Sequence, residues 1–133
     1  MAESRTIGVF GAGWVGLVTG GCFAELGHEV VVRDVMPDRV AALQAGRLPF
    51  HEPDLPDVLA RNRERIRYTL DAGDLAAADV LFICVQTPPT YSGDADLCHR
   101  PRAYFAAVSG FRPLAILIIV SFESESSSVL TTQ

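Results

Sequence analysis

The sequence predicts an α/β protein with a doubly wound parallel sheet. Short apolar segments rich in β-branched residues alternate with longer segments of helical length, and this alternation is typical of parallel βαβ units. The first apolar segment also runs directly into a glycine-rich turn that opens a helix-length segment. We expect the strand order 3-2-1-4-5, with a C-terminal part that departs from the usual pattern.

The first half of the chain supplies two strands and two helices. Residues 6–10 are short, apolar and β-rich, which predicts a buried strand. Residues 14–26 have helical length, and residues 30–32 form a second β-branched run. Pro37 suits the first turn of the next helix, and Gly46 closes that helix.

The second half is predicted in the same way. After a loop rich in proline (residues 48–56), the sequence predicts a helix, two strands, a helical turn between them, a polar loop, a further helix and a last strand. In chain order these are a helix through Val58 and Leu59, strand 66–70, helical turn 74–78, strand 80–85, loop 86–96, helix 101–109 and strand 114–120. The arginines at 61, 63, 65 and 67 are interpreted as a solvated helix end and strand edge.

Length and composition exclude several classes of protein. A chain of 133 residues is expected to form one domain. Its net charge of −5 argues against a nucleic-acid partner bound through a general basic field. The longest apolar run, residues 114–120, is far shorter than the ~20 residues that span a bilayer, so we expect no membrane partner. All eleven basic residues other than histidine are arginine, since the sequence holds no lysine.

The three cysteines, Cys22, Cys84 and Cys98, are widely spaced and form no metal-ligand pattern. We therefore expect no metal site. Cys22 and Cys84 lie in apolar stretches, which predicts buried free thiols. Free thiols and a short charged N-terminus without the pattern of a signal peptide predict a cytoplasmic protein.

The glycine-rich turn is the motif that carries chemistry. Gly11-Ala12-Gly13-Trp14-Val15-Gly16 matches G-x-G-x-x-G, between a predicted strand and a predicted helix. In such a Rossmann-like turn the first glycine permits the tight bend, the second lets a pyrophosphate approach the backbone, and the third lets the helix pack closely. The helix N-terminus then offers N–H groups to the phosphates. The alternative is a glycine-rich turn without a ligand.

Asp34 ends the second predicted strand, about 20 residues after the glycines, where a carboxylate can accept hydrogen bonds from ribose hydroxyls. A carboxylate at this place would repel a 2′-phosphate, so the sequence favours NAD as the cofactor. Arg33 and Arg39 leave NADP open as an alternative. Arg39 is a candidate contact to the ribose or the adenine of the coenzyme. The alternative is that Arg39 is an exposed helix residue without this role.

The polar loop after the fourth predicted strand is the remaining candidate. It begins Gln86-Thr87-Pro88-Pro89-Thr90, and ligands of doubly wound sheets bind at the crevice between the first and fourth strands. Two prolines would make a rigid wall, and Thr87 and Thr90 would supply hydroxyls to the cofactor. The alternative is a plain surface loop.

Taken together, these motifs resemble the NAD-binding domain of the UDP-glucose/GDP-mannose dehydrogenase family. Residues 7–18 are similar to the family's GxGYVGLV start, with Trp14 in place of tyrosine. Residues 46–55 resemble its G-x-x-P-I-Y-E-P-G-L loop, with His51 and Asp54 in place of tyrosine and glycine. Residues 82–97 resemble FICVGTPPT followed by DGSADL, with Gln86 in place of glycine. The double proline and the Ala95-Asp96-Leu97 ending favour the UDP-glucose branch over relatives acting on GDP-mannose or UDP-N-acetylmannosamine.

The resemblance implies an oxidoreductase that oxidises the C6 alcohol of a nucleotide sugar to a carboxylate while consuming two NAD⁺. It also implies NAD contacts at residues 11–16, Asp34, Arg39, Thr87 and Thr90. In the family a cysteine attacks the intermediate aldehyde. That cysteine, a lysine and the UDP-sugar domain lie beyond this length in the family, so no catalytic residue is assigned here. A UDP-sugar would bind only together with that further domain.

The match by motifs covers residues 5–97, and residues 97–133 carry only 5 of the 27 charged residues. We expect an NAD-binding domain over residues 1–120, a serine-rich disordered tail over 121–133, and a truncated or frame-altered chain that is inactive alone. An uncovered apolar face would favour self-association. The alternatives are a non-catalytic NAD-binding or regulatory remnant and a fragment of another dehydrogenase with the same fold.

Overall fold

The computed structural model describes residues 3–85 in full and the backbone of residues 115–118. Five parallel strands in this part form one sheet in the order β3-β2-β1-β4-β5. The strands are β1 (Thr6–Phe10), β2 (Glu29–Arg33), β3 (Ile66–Thr69), β4 (Val80–Ile83) and β5 (Ala115–Ile118). The predicted fold class and strand order are confirmed.

Within residues 3–85, three helices and one short 3₁₀ helix connect β1 through β4. They are α1 (Trp14–Glu25), α2 (Pro37–Gln44), α3 (Leu55–Arg61) and the 3₁₀ helix Ala72–Leu75. The 3₁₀ helix begins two residues earlier than the predicted turn at 74–78. The side chain of Asp71 accepts a hydrogen bond from the Gly73 N–H at 2.8 Å and so caps the turn at this earlier point.

Alternation along the strands divides the core into two layers. Ile7 and Val9 of β1 pack with Leu17 of α1 in the larger cluster, which also receives Leu43 of α2 and Leu55 of α3. The remaining cluster lies on the opposite face, where Phe10, Val31, Leu75, Leu81 and Ile83 pack together. The three α-helices therefore share one face of the sheet, and the 3₁₀ helix covers the other.

The proline loop enters α3 through an unusual backbone conformation. Asp54, the residue before the helix, has φ +66°, in the left-handed region that favours glycine. The family pattern that this loop resembles has glycine at that position. Asp tolerates the left-handed region better than most residues, because its short polar side chain can hydrogen-bond locally.

The arginine-rich segment is a surface feature, as interpreted from the sequence. Arg61 pairs with Glu25 at 3.0 Å, Arg65 with Glu29 at 3.5 Å, and Arg67 with Asp74 at 3.8 Å. These side chains are largely exposed, so each pair contributes little to stability.

The two described cysteines differ in burial. Cys84 is buried, as predicted, whereas Cys22 is exposed, so the prediction of a buried thiol at Cys22 is wrong. Helix α1 is apolar almost all round in sequence, and its composition does not reveal which side faces solvent.

Several predictions lie outside the described residues: the loop 86–96 with Thr87 and Thr90, Cys98, the helix 101–109 and the tail 121–133. Among the residues that are described, no helix combines the length and apolar character needed to cross a membrane.

Candidate dinucleotide site

The candidate site lies where the winding of the sheet changes direction. From β1 the chain proceeds outward to β2 and β3, and it then returns to place β4 on the other side of β1. In doubly wound sheets, ligands bind at the carboxyl ends of the strands at such a switch point. The glycine-rich turn follows the carboxyl end of β1 and therefore lies at this crevice.

Gly11 and Gly16 are required by the protein itself. Gly11 has φ +107°, and a Cβ built on it would lie 2.3 Å from the carbonyl oxygen of Cys84. A Cβ on Gly16 would lie 1.8 Å from the carbonyl oxygen of Gly11. Since real side chains do not approach backbone this closely, both positions admit only glycine, and α1 packs directly against the turn.

Gly13 is different, because nothing in the described chain requires a glycine there. Its φ is −79°, which any residue adopts, and a Cβ built on it would meet no atom of the described residues within 4 Å. The missing side chain therefore leaves space outside the protein, directly beside the backbone. This is the space that a pyrophosphate needs in order to approach the turn.

The N-terminus of α1 opens onto the same space. Gly13 caps the helix without a side-chain hydrogen bond, and the first turn contains no acidic residue. The first intrahelical bond runs from the Leu17 N–H to the Gly13 carbonyl at 3.0 Å, so the N–H groups of Trp14 and Val15 precede the hydrogen-bonded helix. Uncapped N–H groups and the positive end of the helix dipole suit an anion.

Asp34 is almost fully buried and is bound to the glycine turn. One carboxylate oxygen accepts the Ala12 N–H at 2.8 Å and a contact from Arg39 Nη1 at 3.3 Å. The other accepts the Met36 N–H at 2.9 Å. A carboxylate offers about four acceptor positions, so one remains after these three contacts. Asp34 therefore fastens the turn to the start of α2, a structural role that the sequence analysis missed.

The two arginines near Asp34 are occupied in different ways. Arg39 forms the ion pair with Asp34, and its side chain is 39% exposed. The Arg33 guanidinium lies 4.6 Å above the Phe10 ring, and its Nε donates to the Leu70 carbonyl at 3.2 Å. Arg33 is thus engaged on the sheet face opposite the α-helices, because Phe10 belongs to that layer.

Trp14 joins the turn to the proline loop. The residue is 54% exposed, and its Nε1–H donates to Glu52 Oε2 at 2.7 Å. Trp14 belongs to the glycine-rich motif, but no local sequence pattern indicates its contact with Glu52. The only available signal was that both residues belong to segments that resemble the same family.

Cys84 lies next to the turn but is unsuited to nucleophilic chemistry. Its carbonyl faces Gly11, and burial raises the pKa of its thiol to about 11 despite a hydrogen bond from Thr19. A thiol with such a pKa stays protonated and unreactive near neutral pH.

Most residues of the predicted site are thus brought together. Gly11, Ala12, Gly13, Trp14, Val15 and Gly16 form the turn and the first turn of α1, with Asp34 and Arg39 beside it. The Ala12 N–H is already donated to Asp34, and Val15 is half-buried against the core. Thr87 and Thr90 lie outside the described residues.

Comparison with known proteins identifies the family. The model of the NAD-binding domain of the UDP-glucose/GDP-mannose dehydrogenase family matches residues 5–121. The chain belongs to this family. The match extends past Leu97, where the similarity of individual motifs ends, and it includes β5.

Individual members of the family agree with this assignment. The UDP-glucose 6-dehydrogenase of Pseudomonas aeruginosa is 45% identical over 94 residues, which are 68% of this chain and 21% of that protein. The GDP-mannose 6-dehydrogenase of the same organism is 39% identical over 94 residues, or 68% of this chain and 22% of that protein. A solved UDP-glucose dehydrogenase from Pyrobaculum islandicum aligns with a TM-score of 0.73 at 40% identity, over 81% of this chain and 26% of that one.

The chain is therefore an NAD-binding Rossmann domain of an NAD-dependent nucleotide-sugar dehydrogenase family. It spans about a fifth of the length of the curated relatives that it matches.

Proposed function

We propose that this chain is the NAD-binding part of a UDP-glucose 6-dehydrogenase, which oxidises UDP-glucose to UDP-glucuronate with two NAD⁺. The observation that carries the coenzyme part is the open space at Gly13 beside the uncapped N-terminus of α1. The bound NAD⁺ would supply the hydride acceptor for both oxidation steps.

The pyrophosphate would be held by the turn 11–16, through backbone N–H groups at the start of α1. Asp34 would use its remaining acceptor position for an adenosine ribose hydroxyl. Arg39 would flank the same ribose while it neutralises Asp34. Thr87 and Thr90 would contact the coenzyme through their hydroxyl groups, as the family resemblance and their position after the fourth predicted strand imply.

NAD is favoured over NADP by the charges around the ribose position. A 2′-phosphate would approach the Asp34 carboxylate, while Arg33, the other candidate partner for such a phosphate, is engaged with Phe10 and Leu70. Only Arg39 would remain, and Asp34 already pairs with it at 3.3 Å.

UDP-glucose is favoured as the substrate by two indications. The loop with Pro88 and Pro89, ending in Ala95-Asp96-Leu97, resembles the UDP-glucose branch of the family. Two relatives from one organism also differ in the same sense over alignments of equal length: 45% identity to the UDP-glucose enzyme and 39% to the GDP-mannose enzyme.

The substitution Gly13→Ala tests the coenzyme site. A methyl group here meets no atom in the described part of the chain, so we expect the free energy of unfolding to change by less than about 1 kcal/mol. The same methyl group would occupy the space of the pyrophosphate, and we expect NADH affinity to fall about tenfold or more. Energy transfer from Trp14, the chain's one tryptophan, to NADH and titration calorimetry would measure the affinity.

Gly16→Ala is the matched control, because it adds the same methyl group where it collides with the Gly11 carbonyl. We expect this variant to lose stability and NADH binding together. If Gly13→Ala binds NADH as tightly as the wild type, the proposed position of the pyrophosphate is wrong. Tighter binding of NADPH than NADH would contradict the proposed role of Asp34.

A further inference from the structure

A second concave site lies along the edge strand β3, apart from the candidate dinucleotide site. Its volume is about 500 Å³, and it is bordered by the end of α2, the segment that follows α2, helix α3 and β3. None of its lining residues belongs to the glycine turn, and neither Asp34 nor Arg39 lines it. The volume falls within the range of sites that hold small organic molecules.

One wall of this edge cavity is formed by apolar and aromatic side chains. Leu43 of α2 and Ile66 of β3 are buried at its base. Tyr68 lies two residues after Ile66 on the strand and so points to the same side of the sheet, where it is half-buried. Burial raises the pKa of Tyr68 to about 12, which keeps its ring uncharged. This floor is suited to a flat, apolar group.

The cavity's charged side chains are all basic. Arg47 and Arg63 line the cavity, and neither makes an ion pair or side-chain hydrogen bond with another described residue. Arg67 also borders it, but its guanidinium pairs with Asp74 on the other face of the sheet. The described lining contains no aspartate or glutamate, although the chain as a whole carries a net charge of −5.

We propose that the edge cavity binds a small phosphate monoester with a flat, apolar body, which is the chemistry of a nucleoside monophosphate. The two arginines would contact the phosphate, because guanidinium groups match phosphate oxygens in geometry and charge. The body would lie against Leu43, Ile66 and Tyr68. The proposal does not depend on the coenzyme site, since the two sites share no residue.

Phenyl phosphate is a suitable probe, because it joins the two features that the cavity would recognise. We expect it to shift the backbone amide signals of residues 43–48, 59–63 and 66–68 in ¹⁵N-labelled full chain. Inorganic phosphate and phenol each carry only one of the two recognised groups. We expect each to bind at least about tenfold more weakly than phenyl phosphate. Binding should weaken as salt is raised, because the arginines are exposed.

The double variant Arg47→Gln, Arg63→Gln should bind phenyl phosphate about tenfold more weakly. Arg5→Gln removes the same kind of charge outside the cavity and should bind as the wild type does. Circular dichroism would verify that each variant is folded. Saturating NADH should leave the affinity unchanged.

Three results would overturn the proposal. The first is a set of shifts confined to the glycine turn and abolished by NADH. The second is equal affinity of the double variant and the wild type. The third is a set of cavity shifts that depend on protein concentration without any probe, since a second copy of the chain would then occupy this face.

Discussion

Asp34 is a carboxylate that is nearly fully buried beside two backbone N–H groups. The Ala12 N–H belongs to the glycine turn, and the Met36 N–H belongs to the residue that caps α2. Buried N–H groups that lose their acceptor cost about 1–3 kcal/mol each. The carboxylate thus stabilises the backbone of the candidate site before any ligand is considered.

We expect Asp34→Ala to lower the free energy of unfolding by about 1–3 kcal/mol, because the buried Ala12 N–H would lose its acceptor, whereas the part-buried Met36 N–H can bind water instead. Urea denaturation of the purified chain would measure the change. Asp38→Ala removes an exposed carboxylate from the first turn of α2 and should cost less than about 1 kcal/mol. An Asp34 variant as stable as the Asp38 variant would contradict the fastening role.

Cys22 and Cys84 should differ sharply in reactivity. Cys22 is exposed, whereas burial raises the pKa of Cys84 to about 11, above its ordinary value of 9.0. In a Cys98→Ser background at pH 8, we expect a disulfide reagent to modify Cys22 rapidly and Cys84 only after unfolding. Modification of both thiols at the same rate in the folded chain would show that Cys84 is accessible.

The same pKa shift has a consequence for stability. The fold favours the neutral thiol of Cys84, so its contribution is complete below pH 9.0 and is lost as the pH rises towards about 11. Tyr68 acts in the same direction at higher pH, because its pKa is raised to about 12. The free energy of unfolding should therefore decrease as the pH rises from about 9 towards 12.

At the scale of elements, α1 depends on its packing rather than on its own helical preference. It contains Gly16, Gly20 and Gly21, each of which disfavours a helix by about 1 kcal/mol relative to alanine. Leu17, by contrast, is fully buried in the larger core cluster. Contact with the sheet and with α3 therefore determines whether α1 forms.

We expect Leu17→Ala to destabilise the chain by about 3 kcal/mol, because it leaves a cavity in a closely packed layer. The matched control is Leu26→Ala at the end of α1. Leu26 is 72% exposed, and its truncation should cost less than about 0.5 kcal/mol. Chemical denaturation of the two variants side by side would measure both values. Similar losses in both would mean that α1 does not pack as described.

The elements predictable from sequence are those whose signals are local. β1, the glycine turn, α1 and β2 follow from short apolar runs and the spacing of Gly11, Gly13 and Gly16, all of which lie within a few residues of one another. Pro37 marks the start of α2 for a similar reason, since its ring suits the first helical position.

The features that the sequence did not predict depend on contacts between distant residues. The Ala12 N–H meets Asp34 across 22 positions, and Trp14 meets Glu52 across 38. Exposure of Cys22 depends on which side of α1 packs against the sheet, and three glycines obscure that side in the sequence. A local pattern predicts which residues lie near the site, but it does not specify which donor pairs with which acceptor there.

On the scale of the whole molecule, the described sheet provides the parts of a coenzyme site and a second, basic concavity at its edge. The coenzyme site lies at the switch point of the sheet, and the edge cavity lies along β3. A small molecule at one site would therefore leave the other accessible. This separation allows the two proposals to be tested independently in one chain.

We expect the 133-residue chain not to catalyse the family's reaction by itself. The family resemblance implies a nucleophilic cysteine and a lysine in addition to the NAD-binding domain. Cys84 is a buried neutral thiol, and the sequence contains no lysine. We therefore expect the purified chain to bind NADH but to form no NADH from NAD⁺ and UDP-glucose, as followed by NADH absorbance.

An intact UDP-glucose 6-dehydrogenase in the same assay provides the positive control. Mixing it with this chain on a size-exclusion column would separate the two functional alternatives, because a regulatory remnant should co-elute with the intact enzyme and alter its rate. UDP-glucose-dependent NADH formation that persists through purification and is abolished by Gly13→Ala would contradict the prediction. It would mean that a group other than the family's cysteine and lysine carries the chemistry. Loss of the activity in Gly13→Ala would show that this chain's own coenzyme site is used, since Gly13 itself contributes only backbone.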